Sequence, residues 1–377
     1  MSDTRRRPKI VVAPDKFKGS LTAVEAARAI ADGLRRSRTD IDVVQLPVAD
    51  GGDGTVAAAL AAGYEPRTAS VQGPTGELRL ATFAVRGEQA VLELAEASGL
   101  ARLPHGTLAP LTASTYGTGQ LLLAALDAGC RHLILGVGGS ASTDGGAGMV
   151  QALGARFLSA SGQEVDPGGA ALLDLDRVDT TLLDPRLAST TVILASDVDN
   201  PLVGAQGAAA VYGPQKGATS DDVALLDRAL SHYADVVHRD LGLDMSHRAG
   251  AGAAGGTGAG AMAFLGAISS SGIALVLEVV GFADALEGAD LVITGEGSLD
   301  AQSLSGKAPV GVARAAASSG VPVIALVGRL EVGPEELRAV GITSARAILE
   351  VEPDDVLAQR DAAELLARLA EEVGASW

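Results

Sequence analysis

Cys130 is the only cysteine in the 377 residues, so no intrachain disulfide can form. The five histidines (His105, His132, His232, His238, His247) include no i, i+4 pair, which argues against a structural zinc site. Aromatic residues are only 3% of the chain, so the interior must be packed with Ala, Val, Leu and Ile. No uncharged apolar run reaches the roughly 18 residues a membrane span needs; the nearest, "SGIALVLEVVGF", is interrupted by Glu278. The basic run Arg5-Arg6-Arg7 leads only into "IVVAP", too short for the apolar core of a signal peptide. A cytoplasmic protein with no membrane contact is expected. A long Arg/Lys stripe with interleaved aromatics is absent and the formal net charge is −17, which argues against nucleic acid as a partner. Lysine is scarce as well, with five in all: Lys9, Lys16, Lys18, Lys216 and Lys307.

What is present is an α/β rhythm at both ends. "KIVVAP" and "IDVVQLPV" read as short buried strands, and "LTAVEAARAIADGLRR" as a helix opened by a Thr22–Glu25 capping box. "ADGGDGTVAAALAAG" is a glycine-rich turn running into a second helix. Near the C-terminus, "DLVITG", "VPVIALVG" and "ARAILE" are three more strands, interleaved with helices and followed by a closing helix from "PDDVLAQRDAAELLARLAEEVG". Two strand–helix units at the start and three at the end make the five strands of a flavodoxin-like doubly wound sheet. The expected domains are therefore 1–70 plus 286–377, discontinuous and flavodoxin-like, and 71–285, an α/β domain inserted in it; two smaller separate domains are the rival. The insert opens with three alternating segments that read as an antiparallel meander. It continues through "CRHLILGVGG" and "VILASDV" as strands, "GGAGMVQALGARF" as a helix and 220–242 as an amphipathic helix.

The candidate chemistry sits in loops that follow strands. Four of the five lysines fall in "APDKFKGS", "GPQKGA" and "LSGKAP", although Arg carries the general surface charge. A compact ammonium suits phosphate or carboxylate, which favours Lys16, Lys18 and Lys307 as functional and leaves Lys216 balanced. "GVGGSASTDGGAG" joins a strand to a helix and offers the backbone of Gly138 and Gly139 and the hydroxyls of Ser140, Ser142 and Thr143 to an anion, with Asp144 adding a carboxylate. It lacks the G-K-[ST] ending of a Walker A loop, and a turn between packed elements is its bland alternative. A second glycine cluster, "GAGAAGGTGAGAMAF", is equally explained by packing or by ligand contact. Asp197 lies just past a strand, where α/β ligands bind, and suits magnesium or a hydroxyl proton; Asn200, before Pro201, reads more simply as a turn residue. Glu296, Asp300, Gln302 and Lys307 converge in "TGEGSLDAQSLSGKAPVG", and "PVADGGDGT" adds Asp50 and Asp53.

In this order, "APDKFKGSLTAVEAA", "PVADGGDGT", "STYGTGQLL", "GVGGSASTDGGAGMVQALG", "SDVDNPL", "GPQKGA", "GAGAAGGTGAG" and "ITGEGSLDAQSLSGKAPVGVA" make the chain resemble the bacterial glycerate kinase family of the two-domain kind, from residue 9 to about 315. The family's usual residues differ where Asp53 (Glu), Ser142-Thr143 (Thr-Asn) and Ser298 (often Arg) stand. The resemblance implies a flavodoxin-like domain with a second α/β domain inserted. It also implies a magnesium-dependent transfer from ATP to glycerate, giving phosphoglycerate, with 2-phosphoglycerate favoured, and ADP.

Phosphoryl transfer needs positioning and charge neutralisation more than covalent chemistry. The expected machinery is therefore catalytic Asp197, Asp144, Lys307 and Lys16. Substrate or phosphate would be held by Lys18, Ser20, Asp50, Asp53, Gly138, Gly139, Ser140, Thr143, Asn200, Gly256, Gly258 and Gln302. Magnesium is expected on Asp197, Glu296 or Asp300, and the hydroxyl proton on Asp197 first and Asp144 next. The alternatives are a kinase of another small hydroxy acid and a non-catalytic anion-binding protein. A nicotinamide dehydrogenase is disfavoured, because "APDKFKGS" stands where its glycine-rich turn belongs. A homo-oligomer is compatible with the sequence.

Overall fold

The computed structural model describes residues 6–377, so Arg5 of the basic run lies outside the described residues. The chain is a mixed α/β protein with two compact units. One comprises the chain up to Asp50, Ala57–Gly63 and Ile273–Trp377; the other comprises Gly51–Val56 and Tyr64–Gly272.

The first unit is built on a five-stranded parallel sheet. Its spatial order is Asp42–Gln45, Lys9–Pro14, Leu291–Gly295, Val323–Val327, Ser344–Ala347. Counted along the chain, that order is 2-1-3-4-5. The first strand shows why the sheet is covered twice. Ile10 and Val12 face a cluster with Ile30, Leu34, Leu366 and Leu369, whereas Val11 and Ala13 face Val276, Val312 and Ala313 on the other side. A continuous β-branched run is what a strand buried on both faces requires. Helix Ala23–Ser37 begins at the expected capping box, with Thr22 Oγ1 accepting from Glu25 N–H. It packs tightly on Ala362–Ser376, because a Cβ on Gly33 would lie 2.0 Å from the Ala367 carbonyl oxygen. The closing helix expected from residue 353 onward is in fact two, Asp355–Arg360 and Ala362–Ser376. Asp354 caps the first by accepting from Val356 and Leu357 N–H, and Asp361 leaves helical geometry between them.

The second unit carries a six-stranded mixed sheet in the order Ile268–Ser270, Thr191–Ala195, His132–Gly136, Gln89–Glu93, Leu78–Arg86, Glu65–Gln72. The expected meander is there: its three strands pair antiparallel, and the third runs parallel to His132–Gly136. Sequence reasoning carried the helix after the 138–146 loop too far. It spans only Ala147–Ala152, since Gly154 turns the chain with φ +104°, and Arg156–Ser159 is instead a strand paired with Leu175–Asp179. The strand Ile268–Ser270 was missed, being three residues long and mostly exposed.

Candidate active site

In each unit the polar loops gather where the parallel strands end, the edge at which open α/β sheets bind ligands. In the first unit, Asp15 and Lys16 follow the first strand and Glu296 follows Leu291–Gly295. Asp15 N–H donates to the Gly295 carbonyl (2.8 Å), which holds these two strand ends together. Gly297 lets the chain pass close by, since a Cβ there would sit 3.1 Å from Lys18 N. Asp15 is buried. Its Oδ1 accepts from Lys16 N–H (2.6 Å), and the Lys16 ammonium lies 3.6 Å away. Burial pushes the Asp15 carboxyl up to about 6 against the opposing pull of Lys16, with Asp50 adding to the rise.

Glu296 is buried too, and its Oε1 has no hydrogen-bond partner among the described residues. Burial pushes it to about 7; Ser303 and Lys307 oppose the rise, and Asp15 and Asp300 reinforce it. Asp300 accepts from Ser303 N–H (2.9 Å), which holds its carboxyl below the ordinary range, and its Oδ1 lies 3.9 Å from the Lys307 ammonium. Lys307 also sits immediately before the helix Ala308–Ser318, whose first turn contains Pro309. Three carboxylates and two partly exposed ammonium groups are thus organised on one edge. Lys18 and Gln302 are exposed beside them, and Asp50 is half-buried. Ser20 turns inward on itself, its Oγ donating to the Phe17 carbonyl, so it reads as a turn residue rather than a ligand contact.

The edge of the second unit is assembled from backbone. The Gly51–Gly54 turn lies against the strand ends with almost no clearance. A Cβ on Gly136 would lie 2.6 Å from the Gly51 carbonyl oxygen, and one on Gly138 would lie 2.6 Å from the Gly52 Cα. Glu93, at the end of its strand and only 4% exposed, clamps this turn by accepting from Gly54 N–H (3.1 Å) and Val56 N–H (2.6 Å). Burial pushes its carboxyl to about 7, while the Val56 hydrogen bond pulls the other way. Asp53 is exposed on the same turn.

The 138–146 loop is stapled to the neighbouring chain by Leu100 N–H to the Gly139 carbonyl and by Ala141 N–H to the Ser98 carbonyl, which bury Ser140 and leave Gly139 exposed. Asp144 is 1% exposed and fully engaged. It accepts from Thr115 N–H (2.7 Å), Thr115 Oγ1 (2.8 Å), Gly146 N–H (3.2 Å) and Gly148 N–H (3.3 Å). Those four donors fill a carboxylate's capacity, so Asp144 shapes the loop and is poorly placed to take a substrate proton. Gly256 and Gly258 are buried packing positions: their Cβ atoms would strike the Gly145 Cα (2.7 Å) and the Gly250 carbonyl (2.2 Å). Asn200 is a loop brace, with Nδ2 donating to the Gln206 carbonyl and Oδ1 accepting from Tyr212 OH. Asp197 is exposed past Thr191–Ala195, with Oδ2 accepting from Gly272 N–H (3.2 Å).

A family model described as the glycerate kinase family matches residues 10–377. The chain belongs to the glycerate kinase family. It is 46% identical over 375 residues to a glycerate kinase of Halalkalibacterium halodurans, with 98% of each chain covered. It is 48% identical over 326 residues to a glycerate 2-kinase of Escherichia coli, with 85% of each covered. A solved structure assigned as glycerate kinase 2 from Salmonella typhimurium superposes with a TM-score of 0.86 at 43% identity, covering 98% of both chains. The chain is thus a kinase, and hence a transferase. The sequence reading did not single out Asp15 or Glu93; the raised affinity of both for a proton comes from burial, which no spacing pattern displays.

Proposed function

We propose that this glycerate kinase family member transfers the terminal phosphoryl group of ATP to a hydroxyl of glycerate, giving 2-phosphoglycerate and ADP in the cytoplasm. The observation that carries the reading is the first unit's edge. Three carboxyl groups and two ammonium groups are concentrated at the ends of parallel strands. The 2-phosphoglycerate product follows the Escherichia coli relative's name. We read the 2-1-3-4-5 sheet as a flavodoxin-like doubly wound domain. The second unit is then the domain inserted in it, with junctions nearer 63 and 273 than the expected 70 and 286.

Lys16, Lys18 and Lys307 offset the negative charge of the carboxylate and the migrating phosphoryl group. Among the described residues no group of three or more His, Cys, Asp or Glu is arranged around a metal position. Magnesium needs only one or two protein carboxylates when phosphates complete its shell. The partnerless buried Oε1 of Glu296, with Asp300 and Asp15 beside it, fits that requirement. Magnesium held there supplies charge neutralisation to the phosphates. Asp197, exposed at a strand end, takes the hydroxyl proton in this reading. Changing Asp197→Asn or Lys307→Ala should lower kcat about 100-fold or more with the fold retained, measured by coupled ADP detection and circular dichroism. Near-normal turnover in both would remove these residues from the mechanism.

A further inference from the structure

Lys216 is 1% exposed, among the most buried of the large side chains, and its ammonium donates to the backbone carbonyl of Ser142. A lysine is almost never fully buried unless it is paired or employed. Gly255 makes room for it, since a Cβ there would lie 2.8 Å from the Lys216 Nζ and 2.1 Å from the Ser142 carbonyl oxygen. The acceptors around it do not balance the donors. Asp144, whose charge acts on it, already accepts from four other donors. Ser142 Oγ, Thr143 Oγ1 and Tyr233 OH are buried with no partner among the described residues. The backbone N–H groups of Ser142, Thr143 and Asp144 also reach no acceptor among the described residues. Buried donors in such excess call for an anion. Peptide planarity links the two sides of the loop: fixing the Ser142 carbonyl toward Lys216 sends the Thr143 N–H in the opposite direction.

We propose that Lys216 is a positioning residue that sets the Ser142–Asp144 backbone as a donor cluster for a phosphoryl group. This rests on the phosphotransferase reading given above. The cluster accepts one phosphate-bearing ligand of the reaction, whether the nucleotide or the phosphorylated product. Burial lowers the Lys216 ammonium to about 7, with Asp144 opposing, so the support it gives is strongest below neutral pH.

The test is calorimetric titration of ADP and of 2-phosphoglycerate into wild type, Lys216→Met and Thr143→Val. Lys216→Met keeps the side-chain length without the charge. Thr143→Val deletes only a partnerless hydroxyl and keeps the fold, so it carries the test even where Lys216→Met fails to fold. One of the two ligands should weaken about 10- to 100-fold in both variants, while the other stays within about threefold. Loss of a merely structural residue would weaken both ligands together. Equal weakening of both ligands, or unchanged binding in Thr143→Val, overturns the proposal. Wild-type protein that binds neither ligand and consumes no ATP with glycerate overturns the phosphotransferase reading itself, a separate outcome.

Discussion

Glu93→Gln separates the cost of a buried charge from the clamp it forms. The folded carboxyl titrates near 7, against 4.5 when solvated. The folded state therefore holds a proton that the unfolded chain has released, and stability falls as pH rises from about 4.5 to 7. At pH 8 the ionised carboxylate costs about 3 kcal/mol, whereas at pH 5 the cost is below about 1 kcal/mol. A glutamine keeps an Oε1 able to accept from Gly54 and Val56 N–H, and its added amide protons carry a penalty that is the same at both pH values. The stability difference, variant minus wild type, should therefore shift by about 2–3 kcal/mol in the variant's favour between pH 5 and pH 8. Urea unfolding at the two pH values measures it. Glu93→Ala is the control: it strands two amides and should destabilise by about 2–4 kcal/mol at pH 5, with the same shift in the variant's favour by pH 8, because it too removes the titrating carboxyl. A pH-independent difference for Glu93→Gln would show that Glu93 is solvated or paired, and the clamp argument would fail.

Asp144→Ala should destabilise the second unit by about 3–5 kcal/mol, detected as a lower denaturation midpoint, because it leaves Thr115, Gly146 and Gly148 donors unfilled. Gly33→Ala should lower the melting temperature by driving a Cβ into the Ala367 carbonyl, at a cost of about 1–3 kcal/mol, while leaving kcat nearly unchanged.

Much of the architecture was legible because local signals agreed with one another. The Thr22–Glu25 box opens its helix, and five strands of one sheet lie where runs were expected, although the last is Ser344–Ala347 and Ile348–Glu350 of the expected strand turns as a 3-10 helix instead. The Thr219–Asp222 box starts the long helix Ser220–Leu241 that periodicity suggested. Where a single glycine decided the outcome, as at Gly154, the helical pattern misled. The site was legible as loops and much less so as roles. Asp144, Asn200, Ser20, Gly256 and Gly258 have the right residue types, yet their polar groups or missing Cβ atoms are used inside the fold. Lys216, balanced on sequence grounds, proved to be wholly buried. Burial and hydrogen-bond saturation come from contacts between segments far apart in sequence, such as Glu93 with Gly54 or Lys216 with Ser142.

The most direct test is phosphorus NMR of purified protein incubated with D-glycerate, magnesium and ATP. The account predicts equimolar ADP and a new phosphomonoester resonance matching 2-phosphoglycerate. A folded protein that leaves ATP intact would contradict the phosphotransfer, and 3-phosphoglycerate would contradict the assigned hydroxyl.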